Sequence, residues 1–342
     1  MVNARVLRAI EESGVSVQCV DVSQAVGIPK LKLEYHLARA KKVWKAAGLV
    51  LSENRQQRLY CVLEAGWGMF YTILLIALAR ISRRETILHH HSAGHLARFS
   101  IMFWLIARLG GRTTTHVVLC DRMQMDLIKL YKLSHSMVCW NAAVMPERTK
   151  KEPFQNAHVI LGHLSNLCSD KGISEVIEVF RRLTKSGRSA ELILAGPIAD
   201  LETQKAIQTA REEFGERVIY KGPVFGDAKD EFYRTVDVFL FPSRFKIEAQ
   251  PVVILEALSY GVPCVTSPQG YIRDMMDDCG LCIPLDDYVE AGANQISLWI
   301  DSPSELTLES AKAQRRFQRL HQLAILQERQ LVAVLTGSSA RI

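Results

Sequence analysis

Glu248 and Glu256 stand eight residues apart, a little over two turns of α-helix, in the stretch Val236 to Gly261. That stretch reads as a strand, a turn at Pro242-Ser243, a short loop and a helix over Glu248–Tyr260, so both carboxylates are expected on one helical face. A carboxylate accepts paired hydrogen bonds from vicinal hydroxyls, which suits sugar recognition, and Glu256, deeper along the helix, is placed to meet a ribose diol. The backbone N–H groups of Ala249, Gln250 and Val252 would lie at the positive end of that helix, where a diphosphate can be held. The same spacing also occurs on solvated helices, so the surrounding elements must decide between the two readings.

A second constellation lies in the first half, where Ile87 to His95 ends a strand with three consecutive histidines. At the carboxyl end of a strand, a histidine can bond sugar hydroxyls or a diphosphate through its ring nitrogens, or it can be purely structural. Metal ligation needs ligands on one face, which adjacent strand residues do not provide. Cys279 and Cys282 have the spacing of a redox pair or half a zinc site, but no second pair accompanies them and Gly280-Leu281-Cys282-Ile283 reads as a buried strand. Gly66-Trp67-Gly68 reads as a turn that lets backbone approach an acceptor, and Asn141 as a turn former. Phe99 to Ile106 is too apolar for a fully exposed helix and serves either core packing or contact with a membrane surface.

These residues need a frame. From Val159 onward, short β-branched runs alternate with helix-length amphipathic segments, the pattern of a parallel sheet covered by helices. Strands are expected at 158–162, 191–195, 218–221, 236–241, 262–266 and 281–284. Helices are expected at 172–186, 201–214, 229–235, 248–260 and 288–300, with a charged helical tail over 304–335. The first half alternates less cleanly, with strands at 16–22, 58–63, 85–89, 115–120 and 137–140. Its helices are expected at 3–13, 29–47, 69–81, 96–109 and 123–133. The chain opens directly on a helix, so the usual first strand of such a domain either lies upstream or has been lost. The polar stretch Met145 to Asn156, with two prolines, breaks both periodicities and reads as the linker.

Length and composition fit that frame. A chain of 342 residues supports about two domains, and its eight cysteines sit mostly in apolar runs, a usage suited to a reducing cytoplasm. No secretory leader is visible at the amino end, and the longest apolar run, Gly68 to Ala79, falls short of the roughly twenty residues needed to span a bilayer. Charge is uneven: residues 1–150 carry 21 basic and 10 acidic side chains, against 21 and 26 in the remainder. A basic first half fits an anionic surface such as a phosphorylated lipid, a membrane or nucleic acid, or is simply a solubilising excess.

The chain resembles the retaining glycosyltransferases of family 4, whose GT-B fold sets two Rossmann-like domains of doubly wound parallel sheet about a cleft. The resemblance covers nearly everything after the first helix. It is most specific over Phe241-Pro242-Ser243, Glu248-Ala249-Gln250-Pro251, Leu255-Glu256-Ala257 and Gly261-Val262-Pro263-Cys264-Val265. Lys171-Gly172, Ala195-Gly196-Pro197, Gly222-Pro223-Val224 and Cys279 to Pro284 add to it. It implies that Glu248 contacts the donor hexose, Glu256 the ribose and Lys171 the diphosphate leaving group. It also implies that His91 lies near the donor sugar, with His90 the alternative by register. Asn166, Gly196, Pro197, Val224, Ser243, Arg244, Ala249, Gln250 and Pro251 would complete the donor site, and His90, Gly66 and Gly68 the acceptor side.

By the same resemblance the chain divides into an acceptor-binding domain over 1–150, a donor-binding domain over 151–305 and helices over 306–342 that pack back toward the first domain. The activity implied is hexosyl transfer from a nucleotide-diphosphate sugar to a glycan or lipid-linked acceptor, with retention, by front-face attack. No metal or cofactor is expected beyond the co-substrate, nucleic acid is not an expected partner, and the location implied is the cytoplasm, peripheral at the inner face of the membrane. The sequence departs from the family where Asn166 replaces an arginine five residues before Lys171, and where Gly270-Tyr271-Ile272-Arg273-Asp274 replaces a Gly-Gly and Glu pattern. Arg244 is either a substitute clamp or a solvated loop arginine. Two alternatives follow: a GT-B scaffold that binds without turnover, and, from the basic segment 22–62, a winged-helix DNA reader.

Overall fold

The computed structural model describes residues 2–22, 33–52, 57–146, 148 and 158–337. The chain forms two compact units, Met1–Trp140 with Leu326–Ile342, and Asn141–Ile325.

The first unit runs α1 (Val2–Glu12), α2 (Leu33–Leu51), β1 (Leu59–Val62), α3 (Met69–Ile81), β2 (Thr86–His89), α4 (Gly94–Ala97), α5 (Ile101–Gly110), β3 (Thr114–Val118), α6 (Asp121–Tyr131) and β4 (Ser136–Val138). The four strands are parallel, in the order β1-β2-β3-β4. Each crossover steps the same way, so right-handed connections place α3, α5 and α6 on one face. The alternation of β1 shows both faces in use. Leu59 and Cys61 pack with Ala47 and Val50 of α2 and with Leu75 and Ala79 of α3. Tyr60 points oppositely, into a core of Val6, Ile10, Ile87, Val117, Leu331 and Leu335. Arg5 fixes that second layer with two bonds to Glu328, at 2.8 and 3.0 Å.

Four expectations change here. No strand forms over 16–22, where the backbone is irregular and mostly exposed and no ladder partner is present among the described residues. The single helix expected over 96–109 is two helices, because Ser100 is extended and its hydroxyl accepts from Phe103 N at 3.3 Å, capping α5. The helix expected from Pro29 is described from Leu33, its first residues lying outside the described ones, and it continues to Leu51. The supposed wing of a DNA reader is instead β1, paired in parallel with β2 rather than in a hairpin.

The second unit runs β5 (His158–Leu164), α7 (Ile173–Lys185), β6 (Ser189–Ala195), α8 (Leu201–Phe214), β7 (Val218–Tyr220), α9 (Asp227–Thr235), β8 (Val238–Phe241) and α10 (Val252–Ser259). It continues through β9 (Cys264–Thr266), α11 (Ile272–Met276), β10 (Leu281–Cys282), α12 (Leu285–Asp301) and α13 (Pro303–Thr336), whose residues from Leu326 belong to the first unit. Its six parallel strands lie in the order β10-β9-β8-β5-β6-β7, so the winding reverses between β5 and β8. Such strands are buried on both faces, which explains their nearly unbroken apolar runs. Val159, Leu161, Leu192, Leu194, Val238 and Leu240 pack toward α7 and α12, while Phe239 and Phe241 face the other way. The expected linker, 145–156, falls largely outside the described residues.

Gly162, in the middle of β5, has its Cα against the side chains of Val236 and Phe232, with no room for a Cβ. Gly162→Ala should lower stability by about 1–3 kcal/mol through overpacking. Urea unfolding should show a lower midpoint at an unchanged slope.

Candidate active site

Because the second sheet is parallel, every loop that leaves a strand's carboxyl end emerges on one edge, and the reversal between β5 and β8 opens that edge to a ligand. Loops 165–172, 196–200, 221–226, 242–251 and 267–271 all lie there. They contain every donor-site residue expected from the sequence except Glu256, which lies on α10.

Lys171 ends a short 3-10 turn, Ser169–Lys171, just before α7. Its ammonium pairs with Glu248 Oε1, and the Ser243 hydroxyl donates to that same oxygen at 2.7 Å. Phe241 and Phe245 place their rings 5.5 and 5.3 Å from the Lys171 nitrogen. The Phe241-Pro242-Ser243 turn is itself fixed from below by Ser267, whose hydroxyl donates to Ser243 O at 2.6 Å. Lys171, Ser243 and Glu248 thus converge from two loops into one charged constellation.

Glu248 does not stand on the helix. Pro251 caps α10, which begins at Val252, since proline lacks an N–H and disfavours helical backbone at the residue before it. Glu248 instead closes a turn with its N–H on Phe245 O, and Gln250 accepts from Asn141 N at 2.7 Å. The two glutamates therefore do not share a helical face. Ala249 and Gln250 are buried in the loop before the helix rather than forming its first turn.

Glu256 is one turn into α10 and only 8% exposed. Its Oε1 pairs with Lys229 of α9, and its Oε2 accepts from the Tyr233 hydroxyl at 2.9 Å. Burial, and then the neighbouring Glu256, push the Tyr233 phenol well up, so it serves as a donor. Neither Lys229 nor Tyr233 was singled out in the sequence, where α9 shows only helical amphipathicity. His163 and Ser165 were also missed: His163 Nδ1 donates to Leu240 O at 2.8 Å, which leaves Nε2 to accept from Ser165 Oγ at 2.8 Å. Desolvation lowers the His163 pKa to about 4.

Asn166 is exposed in the loop after β5. Arg244, considered as a substitute clamp, ion-pairs with Glu175 while its backbone N–H bonds Asp170 O at 2.8 Å. Gly196 accepts the Tyr220 hydroxyl at 2.9 Å and donates to Gly222 O at 2.8 Å, tying the loops after β6 and β7 together beside exposed Pro197 and half-buried Val224. Three glycines bring loop backbones closer than any side chain allows: Gly172 against Pro242 O, Gly196 against Ser165 O, and Gly270 against Glu248 O.

In the first unit Gly66–Gly68 is the expected turn after β1, with Gly68 buried. His90 is fully buried and bonds two other histidines, His95 through Nδ1 at 2.8 Å and His116 through Nε2 at 3.0 Å. His89 meets the Tyr60 hydroxyl at 2.6 Å, and His91 is half-buried, its Nε2 without a hydrogen-bond partner in the protein. Desolvation lowers the pKa of His91 and His116 to about 4 and of His95 to about 3, and holds His89 and His90 well below the usual range. All five are neutral near pH 7. Among the described residues no group of three or more His, Cys, Asp or Glu is arranged to hold a metal, and all eight cysteines are free thiols.

The profile of the Glycosyl transferases group 1 family matches residues 158–302. An α-monoglucosyldiacylglycerol synthase from Streptococcus pneumoniae is 25% identical over 134 residues, which are 39% of this chain and 30% of that protein. The chain thus matches under a third of that relative's length. Among solved structures, sucrose-phosphate synthase from Thermosynechococcus elongatus superposes with a TM-score of 0.67 at 17% identity, over 95% of this chain and 86% of that one. HepE from Anabaena, solved with UDP-glucose, gives 0.66 at 16% identity over 87% and 82%. These structural likenesses establish a shared fold.

Two outcomes follow from the geometry. A histidine kept neutral by burial stabilises the fold fully above the unfolded-state value near 6.5, and this contribution is lost as pH falls toward the folded values of about 4 and 3. Thermal melts should therefore show Tm falling steeply between about pH 6.5 and 4, and His90→Gln with His116→Gln should flatten that slope. Gly270→Ala must displace Glu248 O and puts a side chain on a backbone at φ +56°, so it should lower stability by about 1–3 kcal/mol, read as a lower urea midpoint.

Proposed function

We propose, for a chain whose residues 158–302 form a group 1 glycosyl transferase domain within a GT-B fold, transfer of a hexosyl unit from a nucleotide-diphosphate sugar to a glycan or lipid-linked acceptor, with retention of configuration. The observation that carries the reading is the Lys171, Glu248 and Ser243 constellation on the carboxyl edge of β5 and β8. Lys171 and Glu248 neutralise one another. A diphosphate that takes Lys171, together with sugar hydroxyls that take Glu248, replaces one ion pair by two sets of charge-assisted bonds. Glu256, aimed by Lys229 and Tyr233, suits the ribose diol, and the loop holding Val224 suits the base. His91, neutral and with an unpartnered ring nitrogen, suits a sugar hydroxyl.

In this reading the acceptor oxygen attacks the face from which the diphosphate departs. No carboxylate nucleophile takes part. Binding positions the two reactants, and Lys171 steadies the charge that develops on the leaving group, so the reading assigns no metal. The basic first unit is proposed to keep the chain at the cytoplasmic surface of an anionic membrane, close to a lipid-linked acceptor.

A second reading, a binding scaffold without turnover, is favoured by exposed Asn166 and by the engagement of Arg244 with Glu175, which leave Lys171 as the cation facing Glu248. The two readings share donor binding and differ in transfer. UDP, GDP or ADP, or the matching nucleotide sugar, should raise Tm by several degrees, since about 2.7 kcal/mol is gained at a hundredfold excess over Kd. No shift with any of them sinks both readings. Lys171→Ala and Glu248→Ala should each cut transfer by about 100- to 1000-fold with the fold intact, and full turnover in both would overturn the site assignment.

A further inference from the structure

The outer face of the helix layer in the first unit is apolar where a solvated surface would carry charge. Phe70 and Leu74 of α3 are 53% and 43% exposed, and Ile101 and Trp104 of α5 are 72% and 41% exposed. Spacings of four and three residues place each pair on one helical stripe, opposite the buried Leu75, Ile76 and Ala79 of α3 and Phe103 and Ile106 of α5. Trp67, just before α3, is 82% exposed and stacks on Phe70 with ring centroids 5.6 Å apart. Both helices start from the carboxyl edge of the sheet, the same edge that carries His91.

The charge around this face is mainly positive, and the nearby Glu64 is paired with Arg39. Residues 65–113 contain six arginines and a single acid, Glu85, which pairs with Arg58. Arg80, Arg98, Arg108 and Arg112 are exposed, and Arg108 lies over the Trp104 ring. On the adjoining α2, Trp44 is exposed between Lys41 and Lys45. A second copy of the chain would bring one cationic rim against another. Aromatic rings backed by aliphatic side chains and rimmed by arginine match the headgroup boundary of an anionic bilayer, where rings enter the acyl margin and guanidinium groups meet phosphates.

We infer that this face, centred on Phe70, Leu74, Ile101 and Trp104, docks the chain on an anionic lipid surface. No helix of the described residues is long and apolar enough to cross a membrane, so the contact is peripheral. Its placement beside the His91 edge would bring the acceptor side of the first unit down to the bilayer. The proposal rests on the reading above only for what the bilayer presents there, and the docking itself is tested without turnover.

The experiment is flotation of the purified chain with vesicles of phosphatidylcholine alone or mixed with phosphatidylglycerol, compared with a Phe70→Ser, Leu74→Ser, Trp104→Ser variant. The chain should partition onto the anionic vesicles about tenfold more than onto the neutral ones. The variant should lose about tenfold of that binding, with an unchanged circular dichroism spectrum and an unchanged nucleotide-induced Tm shift. Equal flotation of the two proteins overturns the inference. So does a dimer of the unaltered chain that the variant breaks without any vesicle binding. Flotation in the absence of any nucleotide shift supports the docking and overturns only the donor reading.

Discussion

In three places among the loops at the carboxyl edge of its sheet, the second unit lets backbone touch backbone with no space for a side chain: Gly172 under Pro242, Gly196 over Ser165, and Gly270 against Glu248. Each glycine also has a positive φ, at +74°, +121° and +56°, so shape and conformation both require it. The three contacts join the loops after β5, β6, β8 and β9 into one block. The Tyr271 N–H, bonded to Glu248 O at 3.0 Å, adds a direct tie to the same backbone oxygen that Gly270 approaches. Side chains mounted on such a base keep a fixed geometry relative to one another.

The charges follow the same logic of joining elements. Glu248 and Glu256 are each only 8% exposed, and an unpaired carboxylate at that depth would be costly. Each is compensated by a lysine from a different element: Lys171 from the loop after β5 for Glu248, and Lys229 of α9 for Glu256. Removing either lysine would strand a buried anion as well as delete a cation. Local stability therefore depends on the same two pairs.

The frame was legible because parallel strands are buried on both sides, so β5, β6 and β8 stand out as apolar runs between amphipathic helices. Lys171 could be placed because a strand, a loop and a helix start surround it closely in the chain. The start of α10 is less legible: apolar periodicity runs back to Glu248, but the steric demand of Pro251 holds the helix to a start at Val252. Lys229 and Tyr233 were invisible for another reason: their relation to Glu256 exists only once α9 lies against α10. His116 is likewise 26 residues from His90 and joins it only through the pairing of β2 with β3. The expected strand over 16–22 shows the converse, a β-like composition that finds no ladder to join among the described residues.

The chain of rings from His116 through His90 to His95 has one more property. Each neutral imidazole carries a single proton, so His90 can donate in one direction only, and the choice made at one ring fixes the others. His116 Nε2 is buried without a partner, and a bare lone pair is tolerated there better than a stranded N–H. The protons therefore order from His116 toward His95. A single unfilled nitrogen at one end polarises the whole row, so that three side chains behave as one oriented dipole beneath the edge that carries His91.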